Sequence, residues 1–104
     1  MSNENSNVSY NDLYVIFADE LRIYLSLEKS INELMEGYEN EPSEVIKGII
    51  LKLIRNAKDQ NHIILDLISK YFNGVKKIEY SNFLGKKLND LQEIEEKINK
   101  TKSI

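Results

Sequence analysis

The chain has no cysteine and no tryptophan among its 104 residues, and only one proline, one histidine and four glycines. Without cysteine there is no disulfide framework, no thiolate metal site and no cysteine nucleophile. A lone histidine, His62, is a thin ligand set for a transition metal. Pro42 and the few glycines leave long stretches free of breakers. The longest unbroken apolar run is six residues, 13–18, far short of the ~20 that span a bilayer. The opening MSNENSNVSY is polar and has no apolar centre, so it does not read as a secretory signal. Positive charge is not in excess: the formal net charge is −3 and the pI about 5.2. That balance argues against nucleic acid as a partner, since such binding rests on phosphate neutralisation. The paired lysines Lys76–Lys77 and Lys86–Lys87 are the local exceptions. These absences lead us to expect a soluble, cytoplasmic protein with no membrane partner.

What the chain does have is apolar residues at helical spacing. One stripe runs Tyr10, Leu13, Phe17, Leu21, Tyr24, Ile31, Met35, Tyr38. A second runs Ile46, Ile50, Leu53, Ala57, Asn61, Ile64, Ile68, Phe72. The third runs Tyr80, Leu84, Leu88, Leu91, Ile94, Ile98. Steps of three and four put each set on one side of a helix. Strand-like alternation is absent. The spacing predicts a disordered tail over residues 1–8 and one helical domain over 9–102, with helices at about 10–37, 43–72 and 79–100. Ser9 or Asn11 can cap the first helix. Gly37 and the Pro42 segment stop it, and Asn73-Gly74 ends the second. A chain this size buries about 65% of its unfolded surface, enough for one modest core.

Both links are short, so the topology is an up-down-up antiparallel three-helix bundle. Helix two would be ~45 Å long, and a seven-residue link of at most ~25 Å cannot return the chain along it. Aliphatic residues outside the stripes, namely Val15, Ile16, Ile23 and Leu25 on helix one and Ile49, Leu51, Ile63 and Leu67 on helix two, widen the apolar surface. A helix that is apolar beyond its core stripe has a second partner. The expected partner is a second copy in a two-fold dimer burying Val15, Ile16, Ile23, Ile49 or Ile63; another protein is the alternative.

Several polar residues fall on the inward faces, where a charge is costly unless paired. Taking ~100° per residue, Glu28 and Glu95 lie near the centres of their stripes, Glu20 on a shoulder and Asn61 in the middle of helix two. Folding the helices back on one another predicts two polar layers. One holds Glu28, Glu95 and Arg55, with Lys52 nearby; Arg55 is the cation expected between the carboxylates unless the pair stays semi-exposed and solvated, and a metal between them is the alternative. The other holds Glu20, Asp59, Asn61, His62 and Asp90. Asp59, His62 and Asp66 form an outward row, which reads as a surface ion-pair cluster.

The stretch LEKSINELMEGYENEPSEVIKGIILKLIRNAKDQNHIILDLI resembles the first helical hairpin of ferritin-like and rubrerythrin-like proteins. The likeness rests on a glutamate in helix one, an acidic Asn- and Pro-containing turn, and Asp59-x-x-His62 where that family has Glu-x-x-His. The segment from Leu27 to Asn32 also resembles that from Ile94 to Asn99, a hint of internal duplication. The link after helix two is too short for the ferritin crossover, and no second Asp/Glu-x-x-His follows. The resemblance therefore implies a relative without a complete metal centre. Were the centre functional, it would hold iron or manganese on Glu20, Glu28, Asp59, His62 and Glu95. Arg55-Asn56 followed by His62 also resembles the R-N-x(n)-H signature of HEPN-domain ribonucleases, which implies Arg55, Asn56 and His62 as catalytic residues. The leading expectation is a non-enzymatic, self-associating interaction or structural protein that needs no cofactor.

Overall fold

The computed structural model describes residues 10–100. They form α1 (Tyr10–Asn40), α2 (Glu44–Tyr71) and α3 (Gly74–Lys100), with no strand among the described residues. The tail expected over 1–8 and the last residues of the expected domain lie outside them. The protein is an all-α three-helix bundle.

α1 runs through Gly37, where the sequence suggested a stop, and ends at Asn40 with Glu41 N–H donating to Gly37 O at 2.9 Å. A glycine inside a helix costs only about 1 kcal/mol against alanine, whereas burying a large side chain returns about 1.5–3 kcal/mol. Tyr38, 1% exposed, is the side chain that holds this last turn down. Ser43 then caps α2, its Oγ accepting from Ile46 N–H at 3.4 Å. Glu44 in the first turn and Lys70 in the last complement the helix dipole.

The larger departure is at the second link. α3 begins at Gly74 and not near residue 79, so the connection is only Phe72 and Asn73. Phe72 is extended (φ −107°, ψ 153°) and Gly74 takes φ +63°, the left-handed region that only glycine enters freely. Val75 and Ile78 in the added turn are exposed, which is why hydrophobic periodicity does not reveal it. The tight turn is pinned by aromatic packing. Phe72 lies 5.4 Å from Tyr14, 5.7 Å from Phe17 and 5.6 Å from Tyr80, and Tyr80 stacks on Phe17 at 4.7 Å.

α2 is the central helix. It packs backbone-close on both neighbours, while among the described residues no Cα of α1 comes within 8 Å of one of α3. Large side chains fill the gap: Tyr24, Ile31, Ile54, Ile64, Leu84 and Leu91 are all essentially inaccessible. Contacts of Phe17 with Tyr80, Glu28 with Lys87 and Glu39 with Lys97 recur at nearly constant offset, so α1 and α3 run parallel and level. The result is a rod of 62 × 21 × 15 Å. No helix among the described residues is long and apolar enough to cross a membrane.

Candidate interaction surface

Each inward carboxylate has its own lysine. Glu28 accepts from Lys87 Nζ at 3.0 Å and Glu95 from Lys58 Nζ at 2.6 Å, all four side chains being partly buried. This corrects the expected layer in which Arg55 neutralises both: Arg55 and Lys52 are exposed and take part in neither pair. The reason is reach and direction. Lys87 and Lys58 lie on the sides of α3 and α2 that face these glutamates, and their long stems stretch along apolar surface to reach them, whereas Arg55 points to water.

The second expected layer also forms differently. Glu20 is held by Gln60, whose Nε2 donates to Glu20 Oε1 at 2.7 Å and to Glu20 O at 2.9 Å. Gln60 escapes sequence reasoning because it sits at the edge of the α2 stripe, one residue from the more central Asn61. Asn61 is fully buried; its Nδ2 donates to Leu84 O at 3.0 Å, and its Oδ1 has no protein partner. Asp59 and His62 are exposed on the far side of α2. Asp66 pairs with Lys70 at 3.1 Å rather than with His62, so the outward row is not a histidine–carboxylate cluster. The residues named for a metal centre are thus spread over separate contacts, and among the described residues no three of His, Cys, Asp and Glu converge as ligands. Arg55, Asn56 and His62 are all exposed on α2.

Beside Asn61, the Tyr24 hydroxyl donates to Lys87 O at 3.3 Å. Burial pushes its pKa from 10.0 up to about 12, the nearby Glu28 carboxylate adding to the rise and the hydrogen bond with Asn61 opposing it. The neutral phenol is therefore favoured in the folded state. The stability this gives is complete below the unfolded value near 10 and is lost as pH rises from there through about 12. Alkaline titration should show one tyrosine ionising only with loss of helical circular dichroism, and Tyr24→Phe should shift that alkaline unfolding to higher pH.

The remaining feature is apolar. Glu28 and Lys58 mark the sides of α1 and α2 that meet α3. Ile16 and Ile23, one heptad apart, lie roughly 120–140° round α1 from Glu28; Ile49 and Ile63, two heptads apart, lie roughly 140–180° round α2 from Lys58. The four point to the side of the α1–α2 hairpin that α3 does not cover, and are 42%, 49%, 45% and 53% exposed. Ile16 and Ile63 meet across the hairpin with Leu67 and Tyr71 in a shallow groove of about 270 Å³ whose rim also carries Glu20, Asp66 and Lys70. Half-buried Leu27, Leu34 and Leu53 extend the face. Val15, expected in the same surface, sits ~100° round α1 from Ile16 and lies off it.

Fold and surface together define an all-α three-helix bundle with one aliphatic face left open. Compared with protein-family models, curated proteins and solved structures, the chain matches none of them.

Proposed function

We infer that this protein is a non-enzymatic helical bundle that works by self-association, as an interaction or structural module. The observation that carries this reading is the row of Ile16, Ile23, Ile49 and Ile63, each about half exposed on a single face. Scattered surface aliphatics need no explanation, but four on one side of a two-helix layer, even with Asn56 between Ile49 and Ile63, are a candidate contact site. The face spans about 27 Å along the rod from Ile16 to Leu34 and about 20 Å across two helices. That is roughly 500 Å² per copy and about 1,000 Å² in total, the size at which specific interfaces begin. In this reading the protein works in the cytoplasm, where a chain without cysteine gives up nothing by lacking disulfides.

Sedimentation at micromolar concentration is expected to give a dimer. Ile23→Lys, which places a charge within the face rather than at its Ile16–Ile63 end, is expected to yield a folded monomer with unchanged helical circular dichroism. A wild-type chain that sediments as a ~12 kDa monomer up to about 100 μM, equivalent to losing all but ~5 kcal/mol of association free energy, overturns the reading.

A further inference from the structure

We propose that α3 is a hinged strap, which swings off the bundle from its Ile98 end and pivots at Phe72–Gly74 while α1 and α2 stay paired. This goes beyond the self-association reading and does not depend on it. The helices are attached by different means. α1 and α2 approach each other backbone to backbone, whereas among the described residues no Cα of α3 comes within 8 Å of one of α1. α3 gives the buried core only Leu84, Leu91 and Ile98, one side chain every two turns. Of the partly buried residues packed against that core, only Tyr80 and Ile94 belong to it. α1 gives the core Leu13, Phe17, Tyr24, Ile31, Met35 and Tyr38. Burial of apolar area is the main force between helices, so α3 is the helix held most weakly.

Polar contacts make up part of the difference. Among the described residues every ion pair between helices ends on α3: Lys87 with Glu28, Glu95 with Lys58 and Lys97 with Glu39. Such pairs return little net free energy, because their charges give up water or compete with it. They direct α3 to its place more than they fasten it there. The helix is also weak in itself. Gly85 lies inside it, and its first turn sets Lys76 and Lys77, with no acidic residue, at the positive end of the helix dipole.

The two ends of α3 differ. At the turn, Phe72 packs among Tyr14, Phe17 and Tyr80, and Tyr80 stacks on Phe17 at 4.7 Å. At the far end Ile98 is the buried anchor, and the Glu39–Lys97 pair beside it is about half exposed. Release therefore starts at Ile98 and runs towards Phe72, as a sub-global opening of the least fastened element. It bares the side of the α1–α2 hairpin opposite the isoleucine row.

Native-state hydrogen exchange of the full chain, read by NMR at a series of sub-denaturing urea concentrations, tests this. The amides of Leu91 and Ile98 are expected to be at least about tenfold less protected than those of Ile31, Ile54 and Ile64. Their urea dependence should be shallower, because opening α3 exposes less surface than unfolding the whole bundle. Gln60→Ala separates the two processes. Gln60 bonds Glu20 between α1 and α2, and Glu20 lines the groove on the side away from α3. Its loss is expected to speed exchange in α1 and α2 by roughly three- to tenfold and to leave the α3 amides unchanged. One common protection and urea dependence for all three helices, or equal acceleration of α3 by Gln60→Ala, overturns the proposal, since α3 then leaves only when the bundle unfolds. Weak protection confined to Ile98 is end fraying and overturns it too.

Discussion

Ile64→Ala is expected to lower the free energy of unfolding by about 2–5 kcal/mol, measured by urea denaturation with helical circular dichroism. Ile64 is fully buried on α2, the helix that packs closely on both neighbours. Its truncation therefore leaves a void in the core, and neighbours as bulky and fully buried as Tyr24, Leu84 and Leu91 leave little room to collapse into it. A domain of this size has about 5–15 kcal/mol in total, so the variant should lose a large part of its stability. Ile78→Ala is the matched control. Ile78 is 61% exposed in the first turns of α3 and its truncation should change stability by no more than about 0.5 kcal/mol. Equal effects at the two positions would mean that the core is not centred on α2.

The second large effect is expected at Asn61, where charge and polarity separate. Asn61→Asp replaces a buried amide that donates to Leu84 O with a group that on ionising becomes a buried anion beside the Tyr24 hydroxyl but without a cation to neutralise it. At pH 7 it should cost about 3–5 kcal/mol. Burial raises the folded pKa of the new carboxyl above its unfolded value of about 3.9. Below 3.9 both states bind the proton and the penalty is small. Between that value and the raised folded pKa only the unfolded state ionises, so stability falls by about 1.4 kcal/mol per pH unit. Urea midpoints for this variant should thus decline from pH 4 to 7 relative to wild type.

Asn61→Leu should behave oppositely. It removes an oxygen that has no protein partner, and the Leu84 carbonyl lies within α3, where helical geometry gives it a backbone donor. The expected change is within about 1 kcal/mol or stabilising. A loss as large as that of the aspartate variant would show that Oδ1 is satisfied, for instance by a buried water.

Much of this architecture is written in the chain. The stripes from Leu13 to Tyr38, Ile50 to Phe72 and Leu84 to Ile98 hold nearly all of the buried apolar residues, because a 3.6-residue period and a demand to bury area leave little choice of face. Gly74 as the left-handed residue at the second turn was equally legible, since it answers a local backbone requirement. So was the meeting of Glu20 with its level on α2, displaced by one residue from Asn61 to Gln60.

Tertiary structure alone decided the rest. Gly37 stays helical because Tyr38 is buried, and Val75 to Ile78 are helical because Phe72 locks a two-residue turn among Tyr14, Phe17 and Tyr80. Both outcomes depend on residues distant in sequence. Glu28 and Glu95 were identifiable as inward charges, but the choice of Lys87 and Lys58 over Arg55 was not, because it depends on how each helix is rotated about its own axis. That rotation also determined which of the extra aliphatics share a face: Ile16, Ile23, Ile49 and Ile63 stand together and Val15 apart. Periodicity sets which side of a helix is apolar; only packing against the other two helices fixes what that side meets and what it leaves open to water.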